Sequence, residues 1–152
     1  EEIAHGLYLM GRQYGGLVDV NFGFQDVAIP LLSADLFLMP SMHEPGGISQ
    51  IEAFAAGCLV LARATGGLRD TVFPIRVSDR SVSGNGFLFS DYTPWAFYDA
   101  MSRASSFFKS SAEKTVQEAR SNAEKSAYFW DRPARQYIER IYDLTESIRI
   151  IK

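Results

Sequence analysis

Residues 36–71 constrain the fold more than any other stretch. Leu36-Phe37-Leu38-Met39 is a continuous apolar run, and Leu59-Val60-Leu61-Ala62 is a second. Unbroken apolar strands are those covered on both faces, as in parallel sheets. Between the runs lie a glycine turn, Gly46-Gly47, and apolar positions Ile48, Ile51 and Ala55 spaced by three and four. That spacing is a helical period, closed by Gly57. A second turn, Gly66-Gly67, follows the second run, and a short helical turn through Thr71 is predicted after it. Strand, loop, helix, strand, loop puts both glycine turns at the carboxyl ends of neighbouring parallel strands, where ligands of open parallel sheets bind.

The flanking sequence supports this unit. Ile3, Leu7 and Met10 predict an amphipathic helix over residues 1–14, ended by Gly15-Gly16. Leu17 to Phe22 alternates apolar and polar and predicts a strand. Residues 25–33 suit a short helix if Pro30 falls in its first turn. Residues 74–86, rich in Ser, Gly, Asp and Asn, read as a loop, and Gly86–Phe89 as a buried strand. Thr93-Pro94 starts a helix with Tyr98, Met101, Ser105 and Phe108 on one face. Ser110 with Glu113 predicts a capping box for a helix with a thin stripe, Val116, Ala119 and Ala123. Asp131 is expected to cap a terminal helix carrying Ala134, Tyr137, Ile138, Ile141 and Ile148 on one face. Alternating strands and helices make this an α/β domain with a parallel sheet, one domain over residues 1–152.

Composition removes several function classes. A net charge of −3 without a basic cluster argues against nucleic acid or an anionic membrane as partner. The apolar runs are too short to cross a bilayer. A single cysteine, Cys58, cannot form an internal disulfide and reads as a buried small hydrophobe. With nothing resembling a signal peptide, a reducing cytoplasm is expected. The chain opens at Glu1 without methionine and in helical character, so a piece of something longer is expected. There is no G-x-G-x-x-G and no G-x-x-x-x-G-K-[ST], which removes dinucleotide dehydrogenases and common nucleotide hydrolases. His43 and His5 belong to no metal pattern or Ser-His-Asp order, so no metal is expected.

The candidate site is the pair of glycine turns. Backbone N–H groups at a helix start favour an anion, and glycine lets it approach closely. Either Gly46-Gly47 or Thr65-Gly66-Gly67 alone would be read as a tight turn. Both at adjacent strand ends fit a diphosphate. Glu44, stiffened by Pro45, sits at the lip of the first turn. A carboxylate there either complements the helix dipole or meets sugar hydroxyls and developing positive charge. Glu52, eight residues on, is either a solvated charge or a second ligand contact. Phe22 and Phe24, at a strand end, are core residues by default and base-stacking candidates otherwise.

Three segments resemble a known family. Ala34-Asp-Leu-Phe-Leu-Met-Pro-Ser41, then Glu44-Pro-Gly-Gly-Ile-Ser-Gln50, then Thr65-Gly-Gly-Leu-Arg-Asp-Thr-Val72 resemble the C-terminal half of bacterial glycogen synthases and plant starch synthases. Phe129-Trp-Asp-Arg-Pro-Ala-Arg-Gln-Tyr137 resembles that family's terminal segment. The resemblance implies a retaining glucosyltransferase of two Rossmann-like domains, the GT-B fold. This chain would be the donor-binding half. Its substrate would be a sugar nucleotide, ADP-glucose or UDP-glucose, with no other cofactor and no metal. An α-1,4-glucan acceptor would sit on the absent N-terminal domain. Glu44 would meet the donor sugar at the reaction centre, Gly46, Gly47 and Ile48 the phosphates or sugar, and Thr65, Gly66 and Gly67 the diphosphate. Glu52 completes an E-x7-E spacing and would bind ribose, and Phe22 or Phe24 would stack on the base. Gly46 stands where the family has cysteine, Ile48 where it has leucine, and Ala64 replaces a frequent arginine, which leaves other sugar nucleotides open. Residues 131–152 are expected to pack on the absent domain, leaving Tyr137, Ile141 or Ile148 exposed to drive self-association. The isolated chain is expected to bind nucleotide weakly without catalysing. The alternatives are a related transferase with another donor and acceptor, and a non-catalytic interaction module.

Overall fold

The computed structural model describes residues 2–21, 27–128 and 131–142. The elements are α1 (Glu2–Gln13), α2 (Ala28–Ser33), β1 (Leu36–Met39), α3 (Ser49–Ala55), β2 (Leu59–Arg63) and α4 (Gly66–Thr71). There follow β3 (Arg76–Val77), β4 (Val82–Ser83), β5 (Gly86–Phe89), α5 (Pro94–Ser110), α6 (Glu113–Ser126), α7 (Asp131–Tyr137) and a π-turn, Ile138–Tyr142.

Among the described residues the main sheet is parallel, in the order β1-β2-β5. Leu36 lies opposite Leu59, and Val60 opposite Gly86. Leu59, Val60, Leu61 and Ala62 are all fully buried. Side chains alternate along a strand, so four consecutive buried residues mean that both faces are covered. Helices α3, α5 and α6 all pack on β2, and Phe54, Leu68, Val72, Ala100, Ala104, Ala119 and Ala123 complete the centre. Pro30 lies in the first turn of α2, as its tolerated position requires. Thr93 accepts a 3.2 Å hydrogen bond from the Ala96 N–H and caps α5, with Pro94 first in the helix.

Polar ties hold the layers together. Arg120 of α6 pairs with Asp35 at the start of β1. Asn122 Nδ2 donates to the Val82 carbonyl at 2.9 Å, joining α6 to β4. Asn85 is buried: its Oδ1 accepts from the Phe73 N–H at 2.7 Å and its Nδ2 donates to the Thr71 carbonyl at 3.0 Å. That side chain anchors the end of α4 to the start of β5.

The structure departs from the sequence reading in four places. Residues 17–21 are not a strand; Leu17 and Val18 N–H groups close a turn on the Tyr14 carbonyl at 2.9 and 3.0 Å, and Val20 packs on Gly11 of α1. Residues 76–83 are a small antiparallel hairpin rather than open loop. The buried stripe of α5 is Ala100 and Ala104, flanked by half-buried Phe97 and Phe107, while Tyr98 and Met101 face outward. Small residues let the helix approach the sheet closely, so the alanines take the inner face and the large side chains the rim. Ser110 does not cap α6: α5 runs through it, and its Oγ donates to the Ser106 carbonyl at 2.7 Å, leaving Ala112 in the cap position. Helix α7 spans Asp131–Tyr137, and the residues just before it lie outside the described residues. Helix α1 forms but buries none of its residues, and Tyr137, Ile138 and Ile141 are exposed. Phe129, Trp130 and Ile148 lie outside the described residues. No helix among the described residues is long and apolar enough to cross a membrane.

Cys58 is buried at the head of β2, and desolvation pushes its thiol up from 9.0 to about 11, against the opposing pull of Arg120. A neutral thiol is a poor nucleophile. A thiol reagent at about pH 8 should therefore leave the native protein unmodified and label it once urea unfolds it. Because the folded thiol holds its proton to higher pH than the unfolded one, stability is whole below pH 9 and falls as pH rises towards 11. Rapid native labelling would show that the strand opens.

Candidate functional site

β1 stops at Pro40, and the loop 40–48 carries the chain to α3. The loop is gripped near its start by Arg63, the last residue of β2. Arg63 Nη1 donates to the Met42 carbonyl at 2.6 Å and the Ser41 carbonyl at 3.3 Å, and its Nε to the Ser90 carbonyl at 3.2 Å. The guanidinium also lies 5.1 Å from the centre of the Tyr92 ring, a cation–π contact. One side chain thus ties together the loops that leave β1 and β5. Sequence reasoning missed it; the available signal was a lone cation ending an apolar strand.

Further on, the loop meets α4. The Gly67 N–H donates to the carbonyls of Glu44 and Pro45, both at 3.1 Å. A Cβ on Gly66 would fall on the Glu44 carbonyl, and one on Gly67 on the Gly46 carbonyl. The two glycine turns are therefore in direct backbone contact. No other residue type fits at 66 and 67, because the neighbour is backbone and cannot turn aside.

Gln50, in the first turn of α3, completes the arrangement. It is fully buried. Its Nε2 donates to the Gly47 carbonyl at 2.9 Å and, more weakly, to the Gly46 carbonyl and Thr71 Oγ1, both at 3.3 Å. Thr71 Oγ1 donates to the Gly67 carbonyl at 2.8 Å. Gly47 has φ +74°, and a Cβ there would strike the Gln50 carboxamide.

The predicted site residues divide as follows. Glu44 (half-buried), Pro45, Gly46 and Gly47 lie in the loop that Gly66 and Gly67 contact, and Thr65 is buried just before them. The Gly67 amide is engaged by that loop, so its part at the junction is close approach rather than donation to an anion. Ile48 is exposed and precedes α3, which opens one residue later than its apolar spacing predicts. Glu52 is exposed on α3 and lines a separate cavity of about 420 Å³ with Val27, Ala28 and Leu31 of the α2 side and Ala55 and Ala56. A second, mainly apolar cavity of about 570 Å³ opens at the carboxyl ends of β1 and β5, beside Pro40, Tyr92 and Phe97. Phe22 and Phe24 lie outside the described residues. Among the described residues no group of three His, Cys, Asp or Glu could hold a metal ion. The chemistry available at the junction is therefore a carboxylate, carried on a rigid loop, beside close backbone.

Residues 13–125 match the family described as "Glycosyl transferases group 1". The glycogen synthase of Geotalea uraniireducens (strain Rf4) is 41% identical over 133 residues, covering 85% of this chain and 26% of that protein. The glycogen synthase of Desulfitobacterium hafniense is 39% identical over 126 residues, 82% of this chain and 26% of that protein. The chain thus spans about a quarter of the length of the curated relatives it matches. Among solved structures, the catalytic domain of starch synthase IV from Arabidopsis thaliana, bound to ADP and acarbose, aligns with a TM-score of 0.66 at 28% identity, over 89% of this chain and 28% of that one. Sucrose-phosphate synthase from Thermosynechococcus elongatus aligns with a TM-score of 0.68 at 23% identity, over 94% of this chain and 34% of that one, a likeness of fold.

Gly67→Ala should force the loop and α4 apart and destabilise the domain by about 3 kcal/mol or more, since the methyl meets a carbonyl rather than a flexible side chain. Gly46→Ala, where nothing lies within 4 Å, should cost less than about 1 kcal/mol. Urea denaturation of the two variants checks the contrast; equal losses would contradict the close approach.

Proposed function

The chain belongs to the group 1 glycosyl transferases, and from that premise we propose that its glycine turns hold the donor of a hexosyl transfer, a sugar nucleotide whose sugar passes to an α-1,4-glucan. ADP-glucose is the preferred donor in this reading and UDP-glucose the alternative. The glycogen synthase relatives and the ADP-bound starch synthase IV support it. The observation that carries it is the junction itself: a half-buried Glu44 on a loop locked to Gly66-Gly67 at the carboxyl end of the parallel sheet.

In this proposal the residues divide the donor between them. Glu44 faces the transferring sugar and stabilises the positive charge that develops at its anomeric carbon. Gly46, Gly47 and Ile48 meet the sugar and phosphates. Thr65, Gly66 and Gly67 shape the floor under the diphosphate, with close approach as the contribution of Gly67. Glu52 accepts hydrogen bonds from ribose hydroxyls at the mouth of its cavity, and Phe22 or Phe24 stacks on the base. The glucan acceptor sits on a region these 152 residues do not include, so this chain binds the donor without elongating a glucan. The reaction requires no metal and retains anomeric configuration.

Titration of the chain with ADP, UDP and GDP, followed by thermal shift, tests the donor assignment. ADP should raise the melting temperature most; no response to any of the three would overturn the reading. In the enzyme as it occurs in the cell, Glu44→Ala should lower kcat by about 10²-fold or more. Near-normal turnover would remove Glu44 from the reaction centre.

A further inference from the structure

We infer that Gln50 is a positioning residue, whose carboxamide sets the loop carrying Glu44 in register with α4 and so aims the donor site. This rests on the donor-site reading above.

The carboxamide can face only one way. The Gly46 and Gly47 carbonyls can only accept hydrogen bonds. Thr71 Oγ1 spends its proton on the Gly67 carbonyl, so towards Gln50 it too is an acceptor. All three groups require a donor, and Nε2 is the only one in the Gln50 side chain. Oε1 is then left as the buried side-chain oxygen without a hydrogen-bond partner among the described residues. Burial of such an atom is unfavourable. A leucine would fill a similar volume without that penalty. Packing therefore does not account for glutamine here; the three groups that Nε2 holds do.

Those bonds close a circuit. Gln50 on α3 binds the Gly46-Gly47 carbonyls and Thr71 on α4; Thr71 binds the Gly67 carbonyl; the Gly67 N–H binds the Glu44 and Pro45 carbonyls, which lead back along the loop to Gly46. With Arg63 holding Ser41 and Met42, the loop is fixed on both sides of Glu44. Linked hydrogen bonds of this kind stiffen one another, and the loss of one member loosens the circuit rather than the core.

The test is amide hydrogen exchange on Gln50→Leu and Gln50→Glu, with residues 59–63 of β2 as internal reference. Gln50→Leu should speed exchange at residues 44–48 and 66–68 about tenfold and leave β2 unchanged. ADP affinity should fall about tenfold in the same variant, because a loosened site must be ordered on binding. Gln50→Glu should behave likewise at neutral pH and regain loop protection, relative to wild type at the same pH, as acid protonates the carboxyl and restores a donor. Loop exchange unchanged in Gln50→Leu, or loosening shared equally by β2, would overturn the proposal. If Gln50→Leu fails to fold, the acid series on Gln50→Glu decides, and no recovery of the loop overturns it. Failure of wild-type protein to bind ADP, UDP or GDP would sink the donor reading, while the exchange comparison without nucleotide still decides what Gln50 holds.

Discussion

The site depends on one close approach: the loop after β1 lies against the first turn of α4, backbone to backbone, with the Gly67 N–H shared between the Glu44 and Pro45 carbonyls. Two main chains meet at that distance only where no Cβ intervenes, which is why a pair of glycines opens α4. Helix α4 has six residues and could not persist alone in water. It is held by burial of Leu68, by Val72 just after its end, by Asn85 at its carboxyl end and by the loop at its start. The catalytic candidate, the loop and the helix are therefore one rigid piece.

That piece is placed by the sheet. Parallel neighbours send their carboxyl ends the same way, so the loops after β1, β2 and β5 meet along one edge. Arg63 converts this adjacency into attachment by bonding carbonyls on both flanking loops and covering Tyr92. At the opposite end of the strands, the Arg120–Asp35 pair ties α6 to β1. Deep burial of β2 keeps these attachments in register, because a strand covered on both faces cannot slip without exposing its side chains.

Much of this was legible from the chain. The apolar runs at 36–39 and 59–62, the glycine turns, the Thr93-Pro94 start and the position of Pro30 each express a local rule strong enough to survive folding. The errors have a common physical origin. Residues 17–21 alternate as a strand does, yet pair with Tyr14 and Gly11 instead of the sheet, because alternation states a preference and not a partner. The inner face of α5 belongs to Ala100 and Ala104 rather than to larger neighbours, because sheet and helix must come close before either is buried. Ser110 and Glu113 have capping-box spacing, but the preceding helix claims the serine first.

Sequence alone determined the α/β order, the identity of the glycine turns, the Glu44 lip and the likeness to glucan synthases, all properties of residues near one another in the chain. Tertiary structure decided what those turns do. Only folding brings residues 44–46 against Gly66 and Gly67, turns the Gly67 amide inward to the loop, recruits Arg63 as its clamp and buries Gln50 between the two turns. Each of these is a contact across parallel strands, and such contacts depend on the crossover that sets the strands side by side, which no local pattern encodes.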